Sequence, residues 1–142
     1  MKTYIGLRDP DGTARIMVET EDGYRRPLRH VVYHSPTGLE WGYGGSGPAD
    51  AALSILADYF MERTRKPDEI GATRAWRLHQ PFKWAVVALL SRDVPAHRPY
   101  AEAPVAEVLP AVESWRLTEL EIAHAVQAIE GKWTPPPGES HI

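Results

Sequence analysis

The sequence predicts a small α+β domain, an antiparallel meander of three to four strands packed with two to three helices. Three observations predict it. Short β-branched and aromatic runs, punctuated by Gly- and Pro-bearing turns, fill the first forty residues. A helical apolar stripe follows from Pro48 onward. Near the C-terminus, Thr118 and Glu121 form the T-x-x-E pattern that opens a helix.

The elements follow in order. Tyr4-Ile5-Gly6-Leu7 reads as a strand, and Asp9-Pro10-Asp11-Gly12 as the turn after it. Pro presets φ there, and Gly accepts the left-handed conformation. Ala14–Glu19 is the returning strand, closed by a Glu21-Asp22-Gly23 turn. Leu28–His34, with Val31, Val32 and Tyr33, reads as a third strand. Leu39–Tyr43 is a short fourth candidate.

A helix is expected from Pro48, which loses no bond at a first helical position. Gly47 or Ser46 would cap it, and Asp50 would sit in its first turn. Ala49, Ala52, Leu53, Leu56 and Phe60 form the buried stripe; Asp50, Ser54, Asp58 and Glu62 form the polar face; charge and Pro67 end the helix. Residues 63–77 read as a basic loop. Pro81–Leu90 favours a helix begun by Pro81 that buries Phe82, Ala85, Val86 and Leu89, although an alternating strand fits the same run. Residues 91–113 carry four prolines and read as an irregular insertion. In the last helix, Leu117 and Ile122 occupy the hydrophobic-staple positions, Ile122, Ala125, Val126 and Ile129 make the stripe, and Gly131 stops it. The expected organisation is one domain over 1–133, with a disordered tail over 134–142.

Composition narrows the functions available. Sixteen Lys and Arg against nineteen Asp and Glu leave a net charge of -3, which argues against a histone-like or sequence-specific nucleic-acid partner. The absence of Cys removes disulfides, thiol nucleophiles and Cys-ligated metals. No run is long and apolar enough for a membrane span, and Met1-Lys2-Thr3-Tyr4 opens no signal peptide, so a soluble cytoplasmic protein is expected.

The densest glycine segment, Gly42-Tyr43-Gly44-Gly45-Ser46-Gly47, runs straight into Pro48. Gly42, Gly44 and Gly47 satisfy G-x-G-x-x-G, but no acidic residue follows at the end of a next strand, and no Gly-Lys-Ser/Thr follows either. Dinucleotide and Walker-type sites are therefore not supported. Two readings remain. The glycines make a tight turn packed under Trp41 and Tyr43, or they line a small-ligand pocket. In the second reading, the amides of Gly44, Gly45, Ser46 and Gly47 and the helix N-terminus hold an anion, and Trp41 and Tyr43 stack on it. Arg29, Lys83 or Arg25 would supply counter-charge, with His34 and Asp50 at the rim.

Other constellations are weaker. Ser46 with His34 and Asp50 contains triad residue types, but Pro48 breaks G-x-S-x-G. His30 and His34 share a strand face in this reading without a third metal ligand nearby, and no metal or cofactor is expected. His79, Gln80 and Lys83 read as a boundary polar cluster, and Arg25, Arg26 and Arg29 as a solvated edge. Glu40 and Asp50 flank the glycines as a conceivable acid and base.

The run His34-Ser35-Pro36-Thr37-Gly38-Leu39-Glu40-Trp41-Gly42-Tyr43-Gly44-Gly45-Ser46-Gly47-Pro48-Ala49-Asp50 resembles an uncharacterised family of bacteria and their phages, domain of unknown function 6166. The resemblance continues through Ala52–Leu56 and resumes at Phe82-Lys83-Trp84 and at Trp115, Leu117, Thr118 and Ile122. It implies no activity and no catalytic residues, but it does imply a phage accessory or counter-defence role. The expected function is thus non-catalytic binding of a nucleotide-like anion at the glycine loop. The alternatives are a protein–protein module that inhibits a host enzyme, with the five Trp as anchors, and a small hydrolase using His34 with Asp50 or Glu40.

Overall fold

Alternating burial in the N-terminal hairpin sets the frame. In a computed structural model, which describes residues 1–62, 67–92 and 111–131, β1 spans Thr3–Arg8, β2 Ala14–Glu19 and β3 Arg25–Pro27. Both expected turns form; Gly12 takes the expected left-handed conformation at φ 93°, and Gly23 takes φ 85°. Ile16 and Val18 point inward while Arg15 stays exposed.

The fourth strand is not Leu39–Tyr43. It is β4, Val112–Thr118, whose first two residues fall in the end of the expected insertion, and it pairs with β1 in a sheet of order β3-β2-β1-β4, antiparallel throughout. The register of β1 on β4 shifts between Gly6 and Leu7, where Ser114 is the extra residue. Trp115 lies over Gly6: a Cβ built there would sit 2.2 Å from the indole nitrogen.

Leu28–His34 is also not a strand. Residues 28–45 have no regular structure, and the amides of Val31, Tyr33, His34 and Ser35 are claimed by side chains of the following helix (below). That helix, α1, spans Ser46–Tyr59 with Gly45 as its cap and no side-chain cap bond, so it starts earlier than Pro48. Its expected polar face is mostly inside: Asp50 and Ser54 are buried along with everything from Gly47 to Ala57. The helix ends well before Pro67. Met61 adopts φ 58°, its N–H donates to Asp58 O, and Glu62 N–H donates to Ala57 O, which is the Schellman closure.

The expected loop over 63–77 contains a 3₁₀ segment, Pro67–Ala72, and the start of α2, Arg74–Ala85. Thr73 caps α2 by accepting from Trp76 N–H at 3.1 Å. Pro81 lies inside α2 rather than at its start, on the exposed side, where it omits one backbone bond. Of the residues expected to be buried there, Phe82 is buried, while Ala85 and Leu89 are exposed. A 3₁₀ turn follows at Val87–Leu89.

The last helix, α3, spans Glu119–Gly131. The capping box forms reciprocally: Glu121 N–H donates to Thr118 Oγ1 at 3.2 Å, and Thr118 N–H donates to Glu121 Oε1 at 3.1 Å. Tyr4, Ile16, Val18 and Leu117 of the sheet join Leu53 and Leu56 of α1, Phe82 of α2, and Ile122 and Val126 of α3 in one buried cluster. The fold is thus α+β. The expected tail over 134–142 and most of the expected insertion over 91–113 lie outside the described residues. No helix among the described residues is long and apolar enough to cross a membrane.

Candidate functional site

Two regions gather the residues that the sequence singles out. The first is the glycine run at the head of α1, which the chain's own side chains fill. A Cβ on Gly44 would lie 2.1 Å from the Trp84 ring, one on Gly45 2.5 Å from the Tyr43 ring, and one on Gly47 2.8 Å from Glu40 Cβ. Gly42 takes φ 84° and donates its N–H to Val87 O at 3.0 Å, and a Cβ built on it would lie 2.1 Å from the Arg92 stem. The glycines admit the protein's own rings at the places where the sequence reading puts a ligand.

Trp41 does not stack on anything from solvent. It is fully buried, donates its indole N–H to Ser91 O at 3.0 Å, and meets Trp115 edge-on. Arg8 lies over its ring at 4.8 Å and forms a two-pronged pair with Glu40, at 2.7 and 3.1 Å. Burial alone would raise the Glu40 carboxyl, but the Arg8 guanidinium outweighs that and holds it below the usual range.

What faces outward is a pair of rings, each beside a cation, of which Lys83 is itself buried at 7% exposure. Tyr43 is 41% exposed and Trp84 60%. Lys83 Nζ lies 4.3 Å from the Trp84 ring centre and donates to Gly44 O at 3.2 Å, while the Arg92 guanidinium lies 5.0 Å from the Tyr43 ring. Ser46, the first residue of α1, is exposed beside them. Trp84 and Arg92 are absent from the expected site, although Trp84 falls off the predicted buried stripe of its segment, which is the signal that would have found it. Arg29 is not here. It lines a separate cleft of about 360 Å³ with Lys2, Arg26, Ser54 and Asp58, several turns along α1.

The second region is built on Asp50. Its carboxylate has no solvent exposure and accepts three backbone N–H bonds, from His34 at 2.8 Å, Ser35 at 2.9 Å and Tyr33 at 3.2 Å. His30 Nε2 lies 2.8 Å from the same carboxylate. One turn on, Ser54 Oγ accepts the Val31 N–H at 2.9 Å. These bonds replace a strand partner for residues 30–35. Asp50 therefore neither competes for the helix-head amides nor sits at a rim. The acid–base pair expected of His34 with Asp50 or Glu40 is not assembled: only the backbone of His34 meets Asp50, and Glu40 is held by Arg8.

The His34 ring reaches α2, where its Nε2 lies 3.0 Å from His79 Nε2. His79 is 2% exposed, and its Nδ1 faces the Trp76 carbonyl. Burial, with His34 and Lys83 nearby, holds its imidazole below the ordinary 6.5 despite the Trp76 carbonyl and Asp50. Tyr33 packs edge-on against Trp76 at 4.4 Å, and His34 stacks parallel to it. Among the described residues, no group of three or more His, Cys, Asp or Glu is placed to hold a metal.

Comparison with known proteins yields one family model, described as a family of unknown function (DUF6166), which matches residues 4–128. No curated protein matches the chain, and no solved structure does.

Proposed function

We propose that this chain, which belongs to the family of unknown function DUF6166, is a non-catalytic binding protein for a small, planar, anionic ligand of nucleotide type. The binding face is Tyr43, Trp84 and Arg92, at the head of α1, with Lys83 buried against the Trp84 ring. One observation carries the reading: two half-open rings, each with a cation 4.3–5.0 Å from its centre, stand beside a helix N-terminus with no side-chain cap. A base stacked on an aromatic ring gains about 1–3 kcal/mol. Cations and uncapped helix amides favour the phosphate beside it. The glycines serve this arrangement indirectly, by letting the rings lie close to the backbone. A cytoplasmic phage accessory protein that sequesters a nucleotide-derived signal is the biological form of this reading.

The test is calorimetric titration with linear and cyclic nucleotides, read in parallel by tryptophan fluorescence. Binding is expected, together with its loss in Trp84→Ala and Tyr43→Ala variants that keep wild-type unfolding midpoints. Silence across the panel with folded protein overturns the proposal.

A second reading has its own support. Leu78, Pro81, Trp84, Ala85 and Ile129, flanked by Arg77 and Glu130, line a groove of about 890 Å³ between α2 and α3. That groove suits a protein partner such as a host enzyme, with Trp84 as its anchor. Ile129→Glu would abolish that binding and leave nucleotide binding intact.

A further inference from the structure

Residues 28–45 cross the helices without regular structure of their own. Side chains hold them on α1 through Asp50 and Ser54, and on α2 through the contact of His34 with His79. The two contacts differ in what a proton does to them.

The His pair is a single-proton hydrogen bond. The ring centroids lie 5.2 Å apart with 26° between their planes, and the Nε2 atoms 3.0 Å apart, so the rings meet end to end. The Trp76 carbonyl can only accept, so His79 Nδ1 carries a hydrogen and its Nε2 is bare in the neutral ring. His34 Nε2 must then be the donor. A proton added to His34 Nδ1 leaves this bond intact. While His34 is neutral, a proton added to His79 Nε2 only reverses the bond, because His34 can carry its hydrogen on Nδ1 and accept; once both rings are doubly protonated, N–H is set against N–H at 3.0 Å, inside a site where His79 is 2% exposed.

We infer that the His34–His79 pair is an acid-triggered release for residues 33–35, opening when both rings are doubly protonated, while Arg8–Glu40 and buried Trp41 keep the rest of the segment in place. The charged groups around the pair agree on the sign. Lys83, on the same helix, repels the second His79 proton, and so does a protonated His34 from the segment itself. Asp50 on α1 attracts it, but three amides and His30 already engage its carboxylate. His30 cannot be the trigger, because its protonation strengthens the pair with Asp50. The rings of Tyr33 and Trp76 complete the surroundings.

Linkage sets the size of the effect. The closed state holds His79 below 6.5, and the open state returns it to that ordinary value. The closed state is therefore fully favoured above 6.5. Its advantage falls as pH drops below 6.5, by up to about tenfold in the opening constant per pH unit, and levels off once closed His79 also titrates.

The experiment is imidazole nitrogen NMR on the whole chain from pH 7.5 to 4.5, with amide exchange of Tyr33, His34 and Ser35 corrected for intrinsic rates. The expected result is a His79 tautomer with Nδ1–H and bare Nε2 at neutral pH. The three amides then lose protection below 6.5 while β1 and β2 keep theirs. In His79→Gln, whose side-chain oxygen accepts from His34 but takes no proton, the pH step disappears; in His30→Gln it remains. The opposite His79 tautomer, pH-independent protection, or loss of protection by all strands together overturns the inference, and wild-type spectra alone decide it if a variant does not fold.

Discussion

Replacing Asp50 by Asn tests the account of the segment between β3 and α1. The volume is unchanged, but one oxygen becomes a donor. The less costly orientation keeps the carbonyl oxygen at the Oδ2 position, where His30, Tyr33 and Ser35 meet it, and turns the NH₂ against the His34 N–H, now 2.8 Å from Oδ1. One charge-assisted bond is lost, worth about 1.5–3 kcal/mol, and a buried donor is left unmet at about 1–3 kcal/mol. The expected destabilisation is about 3–5 kcal/mol, a large share of the roughly 10 kcal/mol such a domain holds. At about 3 °C per kcal/mol for this length, the midpoint falls by about 10–15 °C. Urea unfolding followed by circular dichroism measures it, with Glu21→Gln, at an exposed ion pair, as a control expected to change by less than about 0.5 kcal/mol. A loss below about 1 kcal/mol in Asp50→Asn would show that the segment is held by something else.

Three further outcomes follow. Met61→Gly should stabilise the chain by about 1 kcal/mol in urea unfolding, because Met61 holds φ 58° and is 73% exposed, so a left-handed cost is removed and little packing is lost. Gly6→Ala should cost about 1–3 kcal/mol, since its methyl would stand 2.2 Å from a Trp115 ring that is 8% exposed and has nowhere to go. For the Asp58 carboxyl, burial is outweighed by Lys2, Tyr4 and Arg26, which hold it below its ordinary 3.8; with Glu40, it lends stability that is full above ordinary carboxylate values and lost as pH falls through the lowered ones. Unfolding free energy against pH should therefore drop by up to about 1.4 kcal/mol per unit per group in acid, and Asp58→Asn should flatten that fall.

Signals local in sequence were legible. The β1–β2 hairpin, its Gly12 turn and the Thr118–Glu121 box rest on neighbours a few residues apart, and all three form. The errors come from long-range side-chain chemistry. Val31, Val32 and Tyr33 have strand propensity, yet Asp50 and Ser54, sixteen or more residues away, take the amides of Val31, Tyr33 and His34 that a strand would need. The same event turned the supposed polar face of α1 inward. Pro81 looked like a helix start because Thr73, the true cap, sits in a basic stretch without periodicity. β4 was within reach: Trp115 and Leu117 alternate with Ser114 and Arg116, and only the prolines before them hid it. Of the expected site, Tyr43, the glycines, Ser46 and Lys83 do lie together, whereas Trp41 is interior and Arg29 lines another cleft.

Asp50 grips three peptide groups and, at His30 alone, a side chain, and this makes the segment unusually permissive in what it can display. Val32 and Tyr33 are 58% and 49% exposed while the backbone beside them is tethered. Identity there can drift without loosening the tether, whereas the helix that supplies the carboxylate has no such latitude. Diversification would then concentrate on the outward positions of a rigidly presented ribbon, much as a display scaffold keeps its frame and varies its face.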